Sequence, residues 1–206
     1  TKGDVWTCSA RTYDGVASLV WADALSLTIL NRLPNVSLSY PADAAGITNR
    51  TSTFNWTGSD DDGDSLTYEF NMSLVPASLC TDADRYATSL SGPNYTLTSE
   101  MKCFYDNNDY YKWSARANDG VGFGAWAVYR DVRLNSLVDI NLTRNSVNFG
   151  PLAFLGSNDT TTNSPLPFVI KNNGNCLVNI SIAASSIWSA LAGQNPSVYY
   201  KYKIDN

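Results

Sequence analysis

Asp60, Asp61, Asp62 and Asp64 crowd around Gly63 in the segment GSDDDGDS and form the densest set of potential ligands in the sequence. Hard carboxylate oxygens on a glycine turn suit calcium. Asp60, Asp62 and Asp64 are therefore the candidate metal ligands, and calcium is the one cofactor the residues suggest. The EF-hand pattern fails, because Gly63 at its sixth position would put Gly58 at the first and leave Glu69 on a strand. Two readings stand: a looser calcium turn that stiffens a module junction, and a solvated polar turn between two strands.

Enzymatic chemistry finds little to work with. The 206 residues include no histidine, which removes the commonest general base and every Ser-His-Asp or Cys-His arrangement. Glycosidases need two carboxylates ~5–9 Å apart. Acidic residues are few, and most of them, Asp43, Asp82, Asp84, Asp106 and Asp109 among them, fall in turn-like segments that give no reason for burial or a shifted pKa. There is no Gly-rich phosphate loop and no GxSxG elbow. Aromatic residues could stack on sugars, but Trp56 and Trp113 lie on the apolar phase of strand-like runs, and Trp21 and Trp126 hold equivalent places in a repeat. Trp188, Tyr199, Tyr200 and Tyr202 remain, read as interface or core residues. The expectation is a protein that is not an enzyme.

The formal charge of −5 argues against a nucleic-acid partner. No apolar run approaches the ~18 residues of a membrane span, and the first residues carry no signal-peptide pattern, so any targeting segment is expected upstream or already removed. Eight asparagines stand in N-x-[ST] sequons, Asn35, Asn49, Asn55, Asn71, Asn94, Asn141, Asn158 and Asn179, against about four expected by chance. They are candidate N-glycan sites. The four cysteines have no CxxC spacing, so zinc and redox motifs are unsupported and pairing in an oxidising compartment is the expectation. Cys80 and Cys103 flank the run around Tyr95 in one module and are expected to pair, closing a loop of about 24 residues worth roughly 3 kcal/mol. Cys8 and Cys176 lack local partners, and a bridge between subunits is the expectation for them. Together these features describe an extracellular, cell-surface chain.

What must position these residues is an internal repeat. WTCSARTYDG at 6–15 returns as YKWSARANDG at 111–120, and the shift of 105 residues continues to Trp21 over Trp126. That shift is the length of one small β-sandwich. Between the copies, short runs alternate with period two: Val36, Leu38, Tyr40; Phe54, Trp56; Leu66 to Leu74; Tyr111, Trp113, Ala115, Ala117; and Trp126 to Leu134. Arg130 falls on the apolar phase of the last run, which places the middle of that strand at a sheet edge. The long stretch from Leu74 to Tyr95, carrying Cys80, has no assigned strand.

The order Trp56, GSDDDGD, LTYEF, NYTLTSEM, YYKWSARANDG and WAVYRDVRL resembles a fibronectin type III or related immunoglobulin-like domain. The resemblance covers 34–136, with the last two strands of a sister module at 1–33. It implies an all-β chain of tandem immunoglobulin-like sandwiches, and its motifs specify packing rather than function. Residues 137–206 carry strand-like runs, including CLVNISIAAS and SVYYKYKI, that resemble immunoglobulin-like modules of archaeal cell-surface proteins. The expected organisation is a terminal hairpin (1–33), a complete module (34–136) and an incomplete module (137–206). Each end would lack what the other has. The functional expectation is a structural, self-associating subunit of a surface filament or sheath, a head-to-tail homopolymer in which the hairpin of one copy completes the last module of the next. The alternatives are an adhesin or carbohydrate-binding module, and a non-catalytic spacer of a secreted hydrolase.

Overall fold

The computed structural model describes residues 2–76, 79–151, 153, 158–160 and 162–181. Four two-residue strands open the chain: β1 (Val5–Trp6), β2 (Ser9–Ala10), β3 (Ala22–Asp23) and β4 (Leu27–Thr28). β1 pairs with β4 and β2 with β3, both antiparallel. A sandwich follows from β5 (Asn35–Tyr40), β6 (Ala45–Ile47), β7 (Thr53–Ser59), β8 (Thr67–Val75), β9 (Arg85–Leu90), β10 (Asn94–Thr96), β11 (Tyr110–Asn118) and β12 (Arg130–Leu134). One sheet runs β10-β7-β5 and the other β6-β12-β11-β8-β9. β13 (Ile140–Arg144) and β14 (Val169–Asn172) pair antiparallel beyond it. The chain divides into two compact units, Thr1–Leu137 and Val138–Asn206.

Alternation fixes which side chains meet between the sheets. Phe54 and Trp56 of β7, Tyr68, Phe70 and Met72 of β8, Tyr111, Trp113, Ala115 and Ala117 of β11, and Val132 and Leu134 of β12 are all buried. Phe54 meets Trp113 edge-on at 5.0 Å between ring centroids, and Phe70 meets Tyr95 at 4.8 Å. The small Ala115 and Ala117 leave room for these rings. β8 and β11 pair over their whole length, from Tyr110↔Val75 to Asn118↔Thr67, so this pair is the spine of the molecule.

At the start of β11 the Tyr111 hydroxyl accepts the Cys103 N–H at 3.1 Å and donates to Asp82 Oδ2 at 2.6 Å. It resembles the tyrosine corner of immunoglobulin-like sandwiches, where a tyrosine near a strand start bonds back to upstream backbone. Cys103 is joined to Cys80 by a disulfide, with Cα atoms 5.6 Å apart.

Several expectations need correction. Asp82 and Asp109 are not solvated turn acids. The Asp82 side chain is 3% exposed and paired with Arg85, and Asp109 is buried. The stretch before Tyr95 holds β9, an edge strand on β8, and β6 stands where the alternating runs predict no strand. Beyond Arg130, β12 is not an edge, because β6 runs parallel beside it from Val132↔Ala45 to Leu134↔Ile47. The Arg130 guanidinium instead donates to the carbonyls of Ser39 and Pro41 at 3.2 and 3.0 Å. In 137–206 the described strands are β13 and β14, and described residues 176–181 of the CLVNISIAAS run are not strand. Trp188, Tyr199, Tyr200, Tyr202 and the SVYYKYKI run lie outside the described residues.

Candidate functional site

The N-terminal hairpin repeats the register of the β11–β12 hairpin and several of its contacts. Trp6 pairs with Leu27 as Tyr111 pairs with Val132. The bridge Tyr13↔Ser18 matches Asn118↔Phe123. The N–H of Asp14 donates to Ala17 O as that of Asp119 donates to Gly122 O. Asp14 Oδ1 accepts the N–H groups of Val16 and Ala17, and Asp119 Oδ1 those of Val121 and Gly122. Arg11 lies 4.8 Å from the Trp21 ring centroid, and Arg116 lies 4.8 Å from that of Trp126. Both tryptophans thus serve an arginine stack.

Burial breaks the symmetry. Tyr111, Val132 and Leu134 are 0% exposed, whereas their counterparts Trp6, Leu27 and Ile29 are 62%, 69% and 38% exposed. Cys8, the counterpart of buried Trp113, is an exposed free thiol. The hairpin therefore holds the conformation of the β11–β12 pair while the face that is buried in that pair meets solvent.

Residues 31–34 dock the hairpin on the sandwich pole. Pro34 is buried, and a Cβ on Gly124 would stand 1.9 Å from the Pro34 carbonyl oxygen, so only glycine admits this approach. Asn31 Nδ2 donates to Asp119 Oδ2 at 2.8 Å. The Arg32 N–H donates to Asp62 Oδ2 at 2.7 Å, and its guanidinium pairs with Asp61 at 2.9 Å. Lys2 Nζ reaches Asp64. The acidic turn thus receives two segments of the hairpin. Asp60 and Asp64 stand together with Asp119, which sequence reasoning did not include, while Asp62 is outside that group and engaged by Arg32. The repeat offered a signal, because Asp119 sits in the Asn-Asp-Gly turn at one pole of β11. The Asn31 amide, then the Val121 and Gly122 N–H groups, hold the Asp119 carboxyl down at about 2.

Of the sequon asparagines, Asn35, Asn49, Asn94, Asn141, Asn158 and Asn179 are exposed, and Asn55 and Asn71 are half-buried. Asn71 Nδ2 leans toward the Tyr129 hydroxyl at 3.4 Å. Cys176 is half-buried in the second unit, its carbonyl accepting the Asn172 amide at 2.9 Å. No helix among the described residues is long and apolar enough to cross a membrane.

No protein family and no curated protein matches the chain. Among solved structures, the FN1–FN3 domains of chicken CNTN1 are similar at 13% identity, with a TM-score of 0.36, over 68% of this chain and 50% of that one. The chain thus spans half the length of that structure. The all-β, fibronectin type III-like sandwich stands on its own two sheets and their register.

Proposed function

We propose that the protein is a non-catalytic, structural module of an extracellular surface assembly, and that the core face of its N-terminal hairpin is the contact through which copies associate. The observation that carries this reading is the contrast between buried Tyr111, Val132 and Leu134 and exposed Trp6, Leu27 and Ile29 in the same backbone arrangement. Burying three large apolar side chains is worth on the order of 1.5–3 kcal/mol each, enough to drive association once they meet a complementary face. In the filament form of the proposal, that face belongs to residues 137–206 of the next copy. Such a contact is heterologous and need not close, so it propagates. A bridge from Cys8 to Cys176 of the neighbour is its covalent form. The disulfide Cys80–Cys103 and the exposed sequons support an oxidising, glycosylating compartment.

Negative-stain microscopy and light scattering of the full chain test this. Ordered filaments or a concentration-dependent oligomer are expected. A chain that stays monomeric, with Trp6 fluorescence still solvent-exposed at the highest soluble concentration, would sink self-association. Selective glycan-array binding by such a monomer would favour the carbohydrate-binding alternative.

A further inference from the structure

We infer that an N-glycan on Asn71 folds back onto an aromatic platform on the outer face of the five-stranded sheet, its first sugar lying against Tyr86 and Trp126. The inference rests on the glycosylating compartment proposed above and gives one glycan a seat on the fold.

Period-two alternation along β8 sends Phe70 and Met72 into the core and Glu69, Asn71 and Ser73 to the opposite face. Register then sets Tyr86 of β9 directly across from Asn71, where Cβ atoms of an antiparallel pair stand about 4.5–5.5 Å apart. From the chain before β12, the Tyr129 hydroxyl accepts the Asn71 Nδ2 at 3.4 Å. The Trp126 ring centroid lies 6.4 Å from those of both Tyr86 and Tyr129. Tyr86 and Tyr129 are exposed, and Trp126 is half-buried. A lone exposed ring calls for no explanation, whereas a contiguous group does. This group surrounds the one atom, Asn71 Nδ2, to which a sugar would be joined.

The rings are held in place without a sugar. The Arg116 guanidinium lies 4.2 Å from the Phe123 ring centroid and 4.8 Å from that of Trp126. Its Nε and Nη2 both reach Glu69 Oε2 at 2.7 Å, and Glu69 also draws the Tyr86 hydroxyl. Tyr86 is thus tied by its hydroxyl and Trp126 by its arginine stack, so contact with a sugar costs little further ordering.

Asn71 Nδ2 carries two hydrogens, and glycosylation replaces one of them. The bond from Nδ2 to the sugar C1 forms as the C1–O bond to a lipid-linked phosphate donor breaks, and Nδ2 gives up a proton. The second hydrogen remains for the Tyr129 hydroxyl. The sugar then leaves the sheet among the rings, where the slightly positive C–H face of a pyranose suits the negative face of an aromatic ring. Asn94, whose cross-strand partner is Asn55 rather than a ring, serves as the control.

The test compares the full chain secreted by a host that joins N-acetylglucosamine to asparagine with the same chain made without glycosylation. Ser73→Ala removes the sequon and leaves the Asn71 and Tyr129 side chains in place. Against the isolated form occupied at Asn71, Ser73→Ala should lower the thermal midpoint by about 2–4 °C, the shift one modest contact makes in a chain of this size. In the unglycosylated chain the same substitution should change little, and Tyr86→Ser should cancel the difference between the two preparations. By NMR, the acetyl methyl that disappears with Ser73→Ala should lie upfield of the one on Asn94, shifted by the rings. This second reading leaves the platform untouched, so it stands should Tyr86→Ser unfold. An Asn71 glycan with an unshifted methyl overturns the proposal, as does one whose loss costs no more than Ser73→Ala costs the bare chain. A bare Asn71 beside an occupied Asn94 overturns it too and leaves the compartment reading standing, whereas bare sequons throughout the native protein end both.

Discussion

Tyr111 shows how one side chain joins several parts of the fold. Burial, and then its bond to Asp82, push the phenol above its ordinary range. Burial alone would raise the Asp82 carboxyl, but the Tyr111 hydroxyl, the Lys102 N–H and Arg85 outweigh it and the pKa is lowered. A carboxyl lowered on folding contributes stability that is fully present above its unfolded value of about 3.9. That contribution is lost as pH falls through the folded value. Asp119, held at about 2, acts in the same direction. Thermal melts should therefore lose midpoint between about pH 4 and 2. Asp82→Asn should flatten that slope, with a lower midpoint at neutral pH. An unchanged slope would refute the assignment. Tyr111→Phe leaves the buried Cys103 N–H without its acceptor, and a loss of about 1–3 kcal/mol in urea unfolding is expected. Among the sequons, Asn94 is exposed, whereas Asn71 is half-buried and its amide is engaged by the Tyr129 hydroxyl. Glycopeptide mass spectrometry of native protein should find Asn94 occupied more fully than Asn71.

At the scale of elements, the disulfide ties the stretch before β9 to the chain between β10 and β11. Replacing both Cys80 and Cys103 by serine should lower stability by roughly 3 kcal/mol, because a loop of this length then regains its freedom in the unfolded chain. Denaturant melts of the double variant against the oxidised chain measure this. Strands that bury one face announce themselves in the sequence. β7, β8 and β11 were legible because Phe54 and Trp56, Tyr68 to Met72, and Tyr111 to Ala117 alternate with polar residues. β6 and β9 were not. β6 is three residues long and joins its sheet by backbone pairing with β12. β9 is an edge strand with no fully buried residue, so it leaves no alternation to read. The Arg130 phase misled for another reason: its long stem crosses to carbonyls at the other sheet, so a charged residue can occupy an inward register without a sheet edge. The acidic turn was visible, but its partners were not. Asn31 and Asp119 are far from it in sequence, and only the docking of residues 31–34 on the loop at Gly122 and Gly124 brings them together.

For the whole molecule, the repeat supplies its own control. The hairpin has an outer face, where Arg11 stacks on Trp21 as Arg116 stacks on Trp126, and a core face bearing Trp6, Cys8, Leu27 and Ile29. Surface stickiness in general would involve both faces, since Trp21 is itself 56% exposed. Completion of a sandwich would involve the core face alone, because only there do the counterparts in the sandwich disappear from solvent. Trp6→Ser with Leu27→Ser should therefore abolish assembly in sedimentation and microscopy, while Trp21→Ala leaves it intact. A hairpin variant carrying both serines keeps its backbone pairing partners and the Asn31–Asp119 contact, so the sandwich should melt as before. Disulfide-linked species on non-reducing gels should vanish with Cys8→Ser and persist with Trp21→Ala. Equal loss of assembly from either tryptophan substitution, or no assembly at all in the natural chain, would overturn the proposed role of the hairpin's core face.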